Sequence, residues 1–133
     1  LCLIDGLFGG YYWDSHPYPW KSAPFGDGTN ADWPSSRFAS LDPVAIDSVG
    51  LDFLRAEWSD FPQKSGVDDY LHEAALAGDP PSGTFYDPDH PVPAKRLRSL
   101  GVHEHWNNAR EKRYSRNLGA KEGIELVAAG AER

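Results

Sequence analysis

The chain has 133 residues, a net charge of −7, one cysteine and no methionine. A single cysteine excludes an internal disulfide and any iron–sulfur cluster held by this chain's own cysteines. No window approaches the roughly 20 apolar residues that a membrane helix needs, and the acidic balance argues against a nucleic-acid partner. The length fits one domain, residues 1–133. The missing methionine and the abrupt apolar start Leu1-Cys2-Leu3-Ile4-Asp5 read as the C-terminal piece of a longer α/β protein. That start lacks the charged and apolar regions of a signal peptide.

Residues 1–5 read as a short buried strand ended by Asp5-Gly6. Residues 6–36 form a long irregular segment with eight aromatics, Phe8, Tyr11, Tyr12, Trp13, Tyr18, Trp20, Phe25 and Trp33. Rings in such number do not stay in water, so this loop must pack on something. Arg37 to Leu41 reads as a second strand. Asp42 is a good N-cap and Pro43 suits the first helical position, so a helix runs from there to about Trp58 on Val44, Ala45, Ile46, Val49, Leu51, Phe53 and Leu54. A second helix, capped by Asp68 or Asp69, carries Tyr70, Leu71, Ala74, Ala75 and Leu76, and Gly78-Asp79-Pro80-Pro81 ends it. Residues 79–101 are loop-like, 102–118 mixed, and Gly123 to Ala128 reads as a final strand.

The charge is uneven. Residues 1–94 carry 4 Lys/Arg against 15 Asp/Glu, and residues 95–133 carry 9 against 5. A basic tail on an acidic body is expected to fold back onto it.

Four constellations bear on chemistry. Asp47 shares helical spacing with Val44, Leu51 and Leu54, which places a carboxylate on an apolar stripe, where a charge needs a partner or a metal. Gly26-Asp27-Gly28-Thr29-Asn30-Ala31-Asp32 offers oxygens to a cation or amides to an anion, although it departs from the EF-hand pattern at its third, fifth and sixth positions. Asp27, Asp32 and Asp47 are therefore the candidate catalytic carboxylates, Asp27 and Asp32 also as a glycosidase-type pair. Trp13, Asp14, His16, Trp20 and Trp33 mix aromatic faces with polar groups, as carbohydrate-binding surfaces do, and are the candidate substrate-binding residues. His103-Glu104-His105 would, on an extended strand, project both imidazoles to one side. Glu111, Asp14 or His16 could complete a divalent metal site with them, and Glu111 is taken as the third ligand beside His103 and His105. A cupin-type H-x-H arrangement places its glutamate closer than Glu111 stands. Among these segments there is no P-loop, G-x-G-x-x-G, H-E-x-x-H or G-x-S-x-G motif.

Ile4-Asp5-Gly6, Ala23-Pro24-Phe25-Gly26 and Ala39-Ser40-Leu41-Asp42-Pro43-Val44-Ala45-Ile46-Asp47 together resemble the C-terminal part of the domain-of-unknown-function family three-six-two, whose members often carry the label of iron–sulfur-centre proteins. Leu100 to Asn108 and Tyr114 to Gly119 resemble a long, often exported bacterial branch of it. The resemblance implies an α/β fold and places Asp5, Asp42 and Asp47 on motif positions. It also implies a periplasmic or extracellular location. The family's cluster-binding cysteines lie outside this stretch, so no iron–sulfur cluster is carried over.

The expected fold is α/β, a small mixed sheet with two or three helices and long aromatic-rich loops. An open sheet edge in such a piece would recruit a second copy, so a homodimer is expected through it. The leading functional expectation is a metal-dependent enzyme, hydrolytic or oxidative, acting on a polar substrate such as a carbohydrate. The alternatives are a carbohydrate-binding or protein-interaction module, or a folded piece with no activity of its own.

Overall fold

A computed structural model of the chain describes residues 1–12, 14–62, 65–85 and 97–130. Among the described residues, two strands, β1 (Cys2–Gly6) and β2 (Ser36–Ser40), precede two helices, α1 (Pro43–Glu57) and α2 (Val67–Ala75), and a 3-10 turn covers Arg116–Leu118. The strands pair antiparallel with Cys2 opposite Ser40, Ile4 opposite Phe38 and Gly6 opposite Ser36. Alternation turns Ile4 and Phe38 towards α1 and leaves Leu3, Asp5, Arg37 and Ala39 on the exposed face. Among the described residues these two strands make the whole sheet. The architecture is a small α/β fold with aromatic-rich loops, and no described helix is long and apolar enough to cross a membrane.

α1 is the axis of the molecule. Its start follows from local chemistry: Asp42 Oδ1 accepts from the Ala45 N–H at 2.8 Å, and Pro43 occupies a position whose N–H would have no helical partner. The helix buries Val44, Ile46, Ser48, Val49, Leu51, Asp52 and Phe53, which lie on more than one face, because different segments cover different sides of it. The sheet and the aromatic loop meet Val49 and Phe53, with Phe38 and Phe53 ring centres 5.4 Å apart. α2 closes the opposite side through Leu71 against Val44 and Leu51. α2 begins two or three residues earlier than an Asp68 or Asp69 cap would give. Gly66, in the left-handed region, is its N-cap, and both aspartates sit in the first turn, where the helix dipole favours them.

The loop before β2 is pinned rather than loose. Trp20 is 6 % exposed, pairs through its backbone with Asp32, and packs on Trp58 and Phe25 at 5.1 and 5.4 Å between ring centres. Glu57, at the end of α1, accepts from the N–H groups of Lys21 and Ser22 at 3.0 and 2.7 Å.

The C-terminal segment does fold back over α1, and among the described residues backbone N–H groups and the side chains of His103, His105 and Tyr114 make the contacts to α1. Asp42 Oδ2 accepts from Val102 N at 2.9 Å. Gly101 is required beside it, because a Cβ there would lie 1.9 Å from Asp42 Oδ1. The expected final strand does not form. Residues 123–128 run without regular structure, because the Asn117 side-chain amide takes the place of a neighbouring strand. It donates to Leu126 O and accepts from Leu126 N, each at 3.0 Å. Glu104 secures the same region by accepting from the Ser115 and Ile124 N–H groups and the Ser115 hydroxyl.

Candidate metal centre

Three segments deliver ionisable groups to one place. α1 contributes Ser48, Asp52 and Arg55, at i, i+4 and i+7 along one face. α2 contributes Asp68 in its first turn and His72 one turn later. The irregular stretch after residue 101 contributes His103 and His105, whose ring centres stand 5.0 Å apart, nearly perpendicular. Glu104, between them, turns the other way into its clasp on Ser115 and Ile124, so the H-x-H unit keeps the alternation of an extended chain.

The hydrogen bonds assign the histidine tautomers. Ser48 Oγ is 2.8 Å from both Val44 O and His103 Nδ1. With its one hydrogen on the Val44 carbonyl, the hydroxyl accepts from His103 Nδ1–H, and Nε2 carries the lone pair. That Nε2 is buried, has no hydrogen-bond partner, and lies 3.6 Å from Asp68 Oδ1. His105 is oriented by a carboxylate: Nδ1 donates to Asp52 Oδ1 at 2.6 Å, and Nε2 stands 3.0 Å from Asp68 Oδ1, a hydrogen bond when Nε2 carries a proton and a free ligand atom when it does not. Asp52 is 3 % exposed and also accepts from Trp106 N at 3.1 Å and from the fully buried Tyr114 hydroxyl at 2.9 Å. Three donors make its burial tolerable.

Electrostatics favour a neutral His103 beside an ionised Asp68. Burial, reinforced by the neighbouring His72 and His105, pushes His103 below the ordinary imidazole value and outweighs the pull of Asp68 and Asp52. Burial alone would raise Asp68, but the Arg55 hydrogen bond and the charges of His105 and Arg55 hold its carboxyl below the usual range. Burial and the adjoining Asp52 push Tyr114 strongly upward, so it stays a neutral donor.

One ligand atom each from Asp68, His103 and His105 lies within 4.8 Å of the others. Tetrahedral coordination with bonds of about 2.0–2.1 Å has edges of about 3.3–3.4 Å, and the two ligand separations given above, 3.0 and 3.6 Å, bracket that value. Each histidine presents Nε2 inward and commits Nδ1 to an oxygen behind it, the support that metal-ligating histidines use.

The expected site residues are distributed differently. His103 and His105 converge. Glu111 does not join them: it is exposed and accepts from Asn107 Nδ2 at 2.6 Å, and Asp68 stands beside the pair instead. Asp47 is exposed and borders an apolar cleft of about 350 Å³, so its charge stays in water, and the buried carboxylate of α1 is Asp52. Asp27 is committed to its own turn, accepting from Thr29 N, Asn30 N and Asn30 Nδ2 at 2.6–2.8 Å, which lowers its pKa. Asp32 accepts from Trp33 N at 2.7 Å in the backbone bridge to Trp20. Trp20 is a core side chain and presents no face for stacking. Trp33 is half-buried, edge-on to Phe8. Asp14 and His16 are exposed on the loop, and Trp13 lies outside the described residues.

Asp52 and Arg55 carry no site signal in the sequence, and Asp68 reads there as a helix cap. Asp52 shows only its place on the helix, four residues after a serine and flanked by Leu51 and Phe53.

Compared with protein-family models, with curated proteins and with solved structures, the chain matches none.

Proposed function

We propose that the chain carries a divalent transition-metal site, with Asp68, His103 and His105 as ligands, and that it serves a metal-dependent hydrolytic enzyme acting on a polar substrate. The observation that carries this reading is the buried, unpartnered Nε2 of His103, aimed at Asp68 beside the Nε2 of His105. An acceptor left unsatisfied in a protein interior costs about 1–3 kcal/mol, and a metal ion is the partner that suits two imidazole lone pairs and a carboxylate together. Three protein ligands would leave a coordination position open, and a zinc-like ion held by Asp68, His103 and His105 would supply Lewis-acid activation of water near neutrality. Asp52 holds His105 in the ligating tautomer, and Tyr114 and Trp106 hold Asp52.

Metal analysis of protein purified and re-equilibrated with zinc or cobalt tests the reading. The expected result is one ion per chain, lost in Asp68→Asn and in the His103→Ala/His105→Ala double variant. Asp68 is about one-third exposed, so Asp68→Asn is expected to fold, which circular dichroism checks. Protein that takes up no ion, or folded Asp68→Asn protein with undiminished affinity, overturns it.

A further inference from the structure

We propose that the open side of this centre takes an oxyanion of the substrate, a carboxylate or phosphate group, held between the metal and Arg55. The inference rests on the metal reading above. The centre has a dry side and a wet side: the side chains of His103 and Asp52 are 1 % and 4 % exposed, while Arg55, Asp68 and His105 are 33–36 % exposed. Arg55 lies on the wet side with Asp68 and His105, the side from which a substrate group reaches the centre.

Arg55 is already engaged with the ligand atoms. Its Nη2 donates to Asp68 Oδ2 at 2.9 Å and its Nη1 stands 3.4 Å from His105 Nε2. A lone pair cannot serve an N–H and a metal at once. When His105 Nε2 turns to the metal, Nη1 loses its acceptor, and the nearest replacement is an oxygen bound to that same metal. The guanidinium fork suits carboxylate and phosphate, to which it can offer two parallel N–H groups.

Charge gives the same answer independently. With His103 and His105 neutral, Asp52 and Asp68 contribute two negative charges and Arg55 one positive charge, so a divalent ion leaves the centre with one uncompensated positive charge. A bound anion removes it. Without Arg55 the loaded centre would already be neutral and would have no such demand.

Cobalt-loaded protein, titrated with inorganic phosphate and separately with acetate and followed by the visible d–d bands of cobalt, tests this. Saturable spectral change is expected with one or both anions, and the stronger response identifies the oxyanion class. Arg55→Gln should weaken that binding roughly tenfold or more, the scale of one lost charge-assisted pair, with Arg55→Lys intermediate. Cobalt affinity in Arg55→Gln should be unchanged or tighter, because a competing cation has been removed. Cobalt-loaded wild type indifferent to both anions, or Arg55→Gln binding them as tightly as wild type, overturns this inference alone. A chain that takes up no cobalt overturns this and the metal reading together.

Discussion

Among the described residues, two long irregular segments, 7–35 without residue 13 and 97–130, are held by different physics. The first packs with aromatic rings: Trp20 fills the space between Trp58, Phe25 and the end of α1, its indole N–H donates to Gly9 O and its backbone pairs with Asp32, and Glu57 accepts from the next two N–H groups, Lys21 and Ser22. The second packs with polar groups: the buried Asp52 and Ser48 and the half-buried Glu104 and Asn117 each accept or donate across more than ten positions of sequence, apart from the Asn117 clasp, which spans nine. Ring packing is tolerant of small shifts, whereas a carboxylate with three donors fixes position and tautomer. The segment that must present two lone pairs to one point is the polar one.

The largest expected effect breaks the aromatic side and spares the other. Trp20→Ala should cost about 3–5 kcal/mol of stability, the range for large aromatics removed from a core, read as a lower denaturation midpoint. The folded fraction should still take up one metal ion per chain. If folded Trp20→Ala protein loses metal, the two segments are coupled and the contrast between them fails.

Asp52→Asn attacks the polar side with little change of shape. An amide turns an NH2 group towards one of the three donors, His105, Trp106 or Tyr114, and removes the charge that orients His105. Metal affinity should fall about 10–100-fold, as for other supports behind a ligating histidine, measured by competition with a chromophoric chelator. A smaller effect distinguishes the segments by location: Glu57→Gln removes one of two carboxylate acceptors for Lys21 and Ser22. It should cost about 1 kcal/mol and speed amide exchange at those two residues while leaving metal affinity unchanged.

How much of this is legible in the sequence follows from the same contrast. α1, its Asp42–Pro43 start and the two short strands rest on local signals, and they stand within a residue or so of where the periodicity places them. The aromatic loop is legible as packed, because rings in that number do not stay in water, yet the same composition also reads as a sugar-stacking surface. Only the fold shows that Trp20 is inside. His103 and His105 are legible because H-x-H alternation is local. Asp68 and Asp52 are not, because an aspartate in a helix's first turn already has a sufficient explanation, and nothing near Asp52 in sequence reveals that Tyr114 and Trp106 will arrive 62 and 54 residues later. The final strand fails for a related reason: Asn117 supplies from a side chain the hydrogen bonds that the reading assigned to a neighbouring backbone.

The smallest expected effect concerns acid, and it falls on the polar side. His103 is held below its ordinary value of 6.5, chiefly by burial, with His72 and His105 adding to the shift and Asp68 and Asp52 opposing it. In the unfolded chain the same imidazole titrates near 6.5, so between that value and its lower folded value the unfolded state binds more protons. Stability is therefore complete above about 6.5 and declines as pH falls below it. Asp68, also depressed, adds its own loss only at the lower pH where carboxyls titrate, below the ordinary aspartate value of 3.8, so the two windows are separate. In metal-free protein, urea midpoints should fall between neutrality and mild acid, and His103→Gln, which can keep a hydrogen bond to Ser48 but does not titrate, should flatten that fall. A His103→Gln profile parallel to wild type would mean that the imidazole is not held neutral by its burial, and the tautomer assigned through Ser48 would lose its electrostatic support. Added zinc should steepen the acid dependence in wild type and leave it unchanged in His103→Gln, because protons then compete with the metal for Nε2.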